Sequence, residues 1–266
     1  MSTAEGSGQD EQAVTAACID AVIRNEALTI VVQPIVEVHS GTILGYEALS
    51  RFTGKPLQGP ALWFEDAERV GRRTELELFA LRRAVAVLPA LPADCYLSLN
   101  ASPATILSGE LDEVLAAAPL DRLVLEVTEQ HPIESYERFG HALRPLRQAG
   151  VRLAIDDVGA GFASLKHILR LSPHLIKLDH SLTHVITHSR SARALAAALT
   201  GFAIETGTTV LAEGIETEDQ LDLLTALGVS LGQGFLLGRP GPPPGPAAGG
   251  DSLADSWARS PTSFDR

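Results

Sequence analysis

Leu153-Ala154-Ile155-Asp156-Asp157-Val158-Gly159-Ala160-Gly161-Phe162 opens with a short apolar run, delivers two adjacent carboxylates and falls into a glycine-rich turn. The apolar run reads as a buried strand, and the turn as the entry to a helix. Neighbouring side chains of a strand point to opposite faces, so one acid of the pair is expected to point into a core. Two acids at a strand end repel each other, and burial worsens the repulsion unless something positive lies between them. A divalent cation held by oxygen ligands would answer that need. A polar strand end followed by a helix cap is the alternative, and this segment alone leaves both open.

Outward from this stretch the chain alternates. Upstream, strands are predicted over Cys95–Asn100 and Arg122–Thr128, with helices over Pro103–Ala117 and Glu134–Ala149. Downstream come a helix over Phe162–Leu171, a strand over His174–Asp179 and mostly helix over Ser181–Thr206. A strand over Thr208–Ala212, a helix over Glu218–Leu227 and a last strand over Val229–Leu236 follow. At the start, a helix over Ala13–Asn25 precedes strands Thr29–Val38 and Thr42–Leu49, with helices Pro60–Gly71 and Thr74–Leu88 after them. The turn His39-Ser40-Gly41 is too short for a crossover, so the first two strands form an antiparallel hairpin. Eight strands, with helices between all but the first two, indicate an α/β fold: a (β/α)8 TIM-like barrel with an antiparallel first strand. Residues 1–12 and the Pro/Gly-rich 241–266 are expected to be disordered, leaving one domain over 13–240.

The composition narrows the function. A formal charge of −12 over 266 residues offers no basic field for a nucleic-acid polymer. There is no signal peptide and no apolar run long enough for a bilayer, so a cytoplasmic protein with no membrane partner is expected. Cys18 and Cys95 lack metal or redox spacing and read as two thiols in a reducing compartment. Lysine occurs only at positions 55, 166 and 177 in an arginine-biased chain, which draws attention to Lys177 inside an apolar strand.

Polar residues recur at the C-terminal ends of the strands: Glu47, Asn100, Glu126 with Glu129 beyond it, Asp156 and Asp157, Lys177 and Asp179, Glu213, and Gln233. In a parallel barrel these ends share the face that carries active sites. Carboxylates with one amide are hard oxygen ligands, suited to magnesium or manganese. Such a mouth suits phosphodiester hydrolysis, in which cations hold both the phosphate and the attacking water. Lys177, among apolar neighbours, could lose its proton and help activate water, or it could form a simple salt bridge.

Eight ordered segments resemble one family. They are Gln33-Pro34-Ile35, Gly45-Tyr46-Glu47-Ala48-Leu49-Ser50-Arg51, Ser98-Leu99-Asn100 and Leu125-Glu126-Val127-Thr128-Glu129. After them come Asp156-Asp157, Ile176-Lys177-Leu178-Asp179, Ala212-Glu213-Gly214-Ile215-Glu216-Thr217 and Gln233-Gly234-Phe235. Over about Val14 to Pro240 the chain resembles the EAL domain, the bacterial phosphodiesterase of cyclic di-GMP, whose barrel also has an antiparallel first strand. The resemblance implies hydrolysis of cyclic di-GMP to linear pGpG with two divalent cations, Mg2+ or Mn2+. It implies metal ligation by Glu47, Asn100, Glu126, Asp156, Asp157 and Glu213, with Asp156 bridging and Glu213 also counted with the catalytic groups. Lys177 would act on the nucleophilic water and Gln233 would orient it. Gln33, Leu49, Arg51, Asp179 and Pro240 would contact substrate, Glu129 would tether the loop after the fifth strand, and Glu216 would support the ligands from behind. It also implies a homodimer. The alternative in another class is a non-catalytic cyclic di-GMP receptor or protein-interaction module.

Where the family usually reads Asp-Asp-Phe-Gly-Thr-Gly-Tyr-Ser, this chain has Val158, Ala160, Phe162 and Ala163. A phenylalanine at 158 is expected to anchor that loop better than Val158. His180, His184 and His188 fall on one helix face but lack the Glu of a metalloprotease helix, and read as an exposed stripe. Gly159-Ala160-Gly161 lacks the rest of a nucleotide fingerprint. Arg72-Arg73 and Arg82-Arg83 read as solvated faces of Glu-rich helices.

Overall fold

Alternation with a period of two builds this molecule from the inside. The computed structural model describes residues 4–128, 132–159 and 163–245. Eight strands close into a barrel in sequence order. They are β1 Leu28–Glu37, β2 Ile43–Phe52, β3 Tyr96–Asn100, β4 Leu123–Thr128, β5 Arg152–Val158, β6 Leu175–Leu178, β7 Thr209–Ala212 and β8 Leu231–Gly232. β1 runs antiparallel to both β2 and β8, and every other pairing is parallel, as the hairpin at Ser40 requires.

Inside the barrel, Ile35, Tyr96, Val124, Ala154, Leu175, Leu211 and Leu231 form one buried apolar layer. Gly45 completes it, since a Cβ there would lie 2.6 Å from the Tyr96 ring. Two residues further toward the mouth, the same faces carry Gln33, Ser98, Glu126, Asp156, Lys177, Glu213 and Gln233, with Glu47 from β2. The residues between them, such as Leu97, Leu125, Ile155 and Ile176, point outward into the main core beneath the helices.

Helices α1 Ala4–Arg24, α2 Pro60–Arg69 and α3 Arg73–Val85 precede β3, and α4 Pro103–Leu107 and α5 Leu111–Leu115 follow it. α6 Tyr136–Gln148 precedes β5, α7 Ala163–Leu171 follows it, and α8 His180–Val185 and α9 Arg190–Thr206 follow β6. α10 Glu218–Ala226 lies between β7 and β8. Ile19 and Val22 of α1 are buried with Leu28, Trp63, Leu76 and Phe79, which docks this helix on α2 and α3.

Several boundaries differ from the sequence expectation. α1 begins at Ala4, so most of the stretch expected to be disordered is helical; once the Ile19 and Val22 turns are docked, each further residue adds a hydrogen bond without a new nucleus. The helix expected over Pro103–Ala117 is two, because Gly109 takes φ +79° and the Ser108 hydroxyl accepts from the Glu110 N–H. β8 is only two residues long. At Gly234 a Cβ would lie 2.1 Å from the Ile215 carbonyl oxygen, so the chain crosses the β7–α10 loop instead of continuing as a strand.

The start of the supposed tail is also ordered. β8 pairs with β1 only at Val36 and Glu37, which leaves the upper edge of β1 open. Gly241 covers that edge, exchanging hydrogen bonds with Val32 at 2.7 and 3.0 Å. No helix among the described residues is long and apolar enough to cross a membrane.

Candidate active site

The polar layer is organised around Lys177. Its side chain is 1% exposed, and its Nζ lies 2.7 Å from both Glu126 Oε2 and Glu213 Oε1. Asp156 Oδ1 is at 3.2 Å and Glu47 Oε2 at 3.9 Å. Burial alone would lower the lysine pKa, but Asp156, Glu126, Glu213 and Glu47 outweigh it and hold Nζ well above its usual range. Lys177 is therefore an ammonium. Of the two roles left open by the sequence, the geometry favours the ion pair, because four carboxylates surround a side chain that looked apolar in one dimension.

The carboxylates are raised too, which for them favours the neutral form. Burial pushes Glu126 and Asp156 above the usual carboxylate range, with Lys177 pulling against it. Glu213 is pushed up to about 8, first by burial and then by Asp156 and Glu47, with Lys177 again opposing. The folded protein therefore holds an extra proton on Glu213 from its ordinary value of 4.5 up to about 8, and stability falls as pH rises through that window. A cation needs the ionised carboxylate and should offset the loss. The melting temperature of metal-free protein is expected to drop between pH 5 and 8, and magnesium should raise it more at pH 8 than at pH 5. Equal magnesium shifts at both pH values would contradict this origin.

Asp156 and Asp157 do not alternate as a regular strand would. The β5–β6 register shifts between Ile155 and Val158, and Asp157 takes φ +59°. This bulge re-aims Asp157. Its N–H donates to Asp156 Oδ1 at 2.9 Å, and Thr128 Oγ1 donates to its Oδ2 at 3.0 Å. Asp156 faces the barrel interior, as expected for one of the pair, but in its polar layer and not its apolar one. Asp156, Asp157 and Glu213 each present an oxygen within 4.8 Å of the others. Val158 beyond the bulge is 1% exposed in the main core, so its small size fits a packed position and not a loop anchor. Glu129 and most of the altered loop, including Ala160 and Phe162, lie outside the described residues, as does the side chain of Ala163.

Glu47 joins two amides to the layer. Its Oε1 accepts from Asn100 Nδ2 at 2.9 Å and its Oε2 from Gln233 Nε2 at 2.7 Å. Gln233 Nε2 also donates to Gln33 Oε1 at 3.0 Å, and Gln33 Nε2 donates to the Gly238 carbonyl. Gln233 Oε1 is buried and accepts no hydrogen bond. A hard, all-oxygen ligand set with an orphaned amide oxygen fits a hydrated magnesium-class ion.

Two cavities open onto the layer. One, of about 250 Å3, is lined by Leu49, Arg51, Asn100, Glu126 and Thr128 together with Phe64 and Leu99. The other, of about 260 Å3, is lined by Gln33, Glu47, Glu213, Glu216 and Gln233 with Phe235 and two histidines. Asp179 and Pro240 line neither. Asp179 caps α8: its Oδ1 accepts from the Ser181 N–H and hydroxyl, and its Oδ2 lies 2.9 Å from His180 Nδ1. Those bonds hold its carboxyl below the usual range despite burial.

Three supporting residues escaped the sequence reading. Ser98 Oγ donates to Glu126 Oε1 at 2.5 Å, and Thr128 holds Asp157; both are inward positions two residues from a site residue. Glu77 on α3 is 5% exposed and binds the start of α4, accepting from the Ser102 N–H at 3.0 Å, Ser102 Oγ at 2.6 Å and Thr105 Oγ1 at 2.5 Å. Arg73 Nε pairs with it at 2.6 Å, so this arginine is not on a solvated face. Glu77→Ala would remove the shared acceptor of all four donors two residues from Asn100, leaving Ser102 Oγ only Thr105 Oγ1 at 3.2 Å and Arg73 only Glu68 at 3.7 Å. A loss of about 3 kcal/mol in urea unfolding is expected, with Glu77→Gln less damaging. A loss near zero would show that water replaces the carboxylate.

The chain matches the family model of the EAL domain over residues 15–240. A cyclic di-GMP phosphodiesterase of Pseudomonas aeruginosa is 33% identical over 231 residues, covering 83% of this chain and 39% of that protein. A probable cyclic di-GMP phosphodiesterase of Escherichia coli is 29% identical over 231 residues, covering 82% of this chain and 45% of that protein. The chain thus spans less than half the length of these curated relatives. Among solved structures, the PaMucR phosphodiesterase in complex with cyclic di-GMP superposes with a TM-score of 0.77 at 28% identity, covering 86% of this chain and 97% of that one. BlrP1 of Klebsiella pneumoniae, in a calcium and cyclic di-GMP complex, gives 0.72 at 32% identity, covering 80% and 56%.

Proposed function

The chain belongs to the EAL domain family, and from that premise we propose that it hydrolyses cyclic di-GMP to linear pGpG in a divalent-metal-dependent reaction. The observation that carries this reading is the convergence of Asp156, Asp157 and Glu213 at the barrel mouth, beside Lys177 and its ring of carboxylates. The relatives' phosphodiesterase names and the cyclic di-GMP held by two similar structures support the substrate.

Each residue then has a task. Asp156, Asp157 and Glu213, with Glu47, Asn100 and Glu126, would hold two cations, Mg2+ or Mn2+. When bound, those ions supply positive charge to the phosphoryl oxygens and acidify water. Lys177, fixed as an ammonium, neutralises part of the acidic layer and offers a donor toward the reacting phosphate. Gln233, held through Nε2 by Glu47 and Gln33, keeps Oε1 as the acceptor that orients a water. One P–O3′ bond breaks as water oxygen joins phosphorus, leaving a 5′-phosphate and a free 3′-hydroxyl. Leu49 and Arg51 on one side of the mouth and Gln33 on the other would contact the ligand. A homodimer is part of the same reading, supported by the exposed Leu165 and Leu169 on α7.

Chromatography after incubation with cyclic di-GMP and manganese tests the reaction. Formation of pGpG supports the enzyme. Tight binding with no product would make the chain a receptor.

A further inference from the structure

We propose that His180 and His184 of α8, with Glu216 of the β7–α10 loop, form a nitrogen-containing site for a borderline transition metal of the zinc class, in the cavity beside the carboxylate layer but with its own ligands. The His180 side chain is 76% exposed, and its Nδ1 lies 2.9 Å from Asp179 Oδ2. Asp179 is an acceptor there, so Nδ1 carries a hydrogen toward it and Nε2 is the ring nitrogen left to meet an ion. A carboxylate behind an imidazole is the arrangement that orients metal-ligating histidines. His184 follows one turn later on the same face.

The histidines and the loop are held together by close packing. Gly214 takes φ +67°, and a Cβ there would lie 2.8 Å from the His180 Cβ. That approach brings Glu213 and Glu216, on either side of the glycine, to the cavity that His180 and His184 also line. His188 lies past the end of α8 and lines no part of it. The carboxylate triplet is the one donor group within 4.8 Å among the described residues, so His184 and Glu216 would close on an ion by side-chain rotation while His180 keeps its bond to Asp179.

Two imidazoles and one carboxylate make three protein ligands with an open fourth position, a set that suits zinc. The all-oxygen layer next to it suits magnesium or manganese. The two sites should therefore select different metals, whatever reaction the layer performs.

Equilibrium dialysis against micromolar zinc, in millimolar magnesium, tests the site directly. The full chain is compared with His180→Ala, His184→Ala and an Asp156→Asn/Asp157→Asn variant. One zinc per chain is expected to survive the double asparagine change. Either histidine change should weaken binding of one zinc by at least ~10-fold, in the native chain and in that variant. Because both histidines are exposed, their removal should leave the circular dichroism spectrum intact. Zinc binding unchanged by either histidine change would overturn the proposal. So would loss of all zinc in a folded Asp156→Asn/Asp157→Asn variant.

Discussion

Exhaustive chelation should bring formation of pGpG down to background, and magnesium or manganese should restore it. Four carboxylates, Glu47, Glu126, Asp156 and Glu213, surround one buried ammonium, Lys177, in the mouth of the barrel, and Asp157 converges with Asp156 and Glu213 beside it. Without cations the layer relieves its repulsion by holding protons, as the raised Glu126, Asp156 and Glu213 show. A protonated, acidic mouth offers little to a phosphodiester, which carries negative charge of its own. Cations reverse this by replacing protons and presenting positive charge to the phosphate. Calcium, larger and tolerant of looser geometry, should permit binding but support little turnover. The measurement is the initial rate of pGpG release after chelation and after each metal is returned. A rate unchanged by complete chelation would exclude metal-dependent hydrolysis.

Lys177→Met is expected to lower turnover by ~100-fold or more, the scale of losing a group that handles protons or charge at the reacting centre. Methionine keeps most of the stem, so packing is nearly preserved while the ammonium disappears. The 2.7 Å contacts to Glu126 and Glu213 and the 3.2 Å contact to Asp156 vanish together. Breaking a buried ion pair from one side costs about 3–5 kcal/mol, so the metal-free variant should also unfold more easily. Cations should recover much of that stability, because they take over the neutralising charge. They should not recover the rate. Steady-state kinetics at saturating manganese separates the two effects: a low kcat with little change in KM is expected. A variant that turns over normally would reduce Lys177 to a counter-charge for the fold.

Much of the site was legible because a strand's period is local. An apolar residue in the lower layer, such as Val124 or Leu175, announces that the residue two places on faces the same interior, here Glu126 or Lys177. The segments that carry the family resemblance are those positions. Glu77 was not legible, because nothing in Arg73-Thr74-Glu75-Leu76-Glu77 tells which glutamate will meet the start of α4. Asp179 reads as a strand-end acid, yet the helix that begins one residue later claims its carboxylate as a cap. The length of β8 was not legible because Val229–Leu236 holds four large apolar residues and no proline, and only the Ile215 backbone across from Gly234 ends the strand.

The sequence by itself determined the alternation of strands and helices, the antiparallel opening hairpin and the ring of polar strand ends. Each follows from contacts within a few residues: side-chain period, turn length and capping chemistry. Only the tertiary structure decided the charge on Lys177 and the direction of Asp157. The first depends on carboxylates from β2, β4, β5 and the end of β7, one of them 51 residues away. The second depends on a bulge that exists only because β5 must pair with β6 through a shifted register. Electrostatic fields and strand registers are sums over partners distant in the chain, and folding brings those partners together.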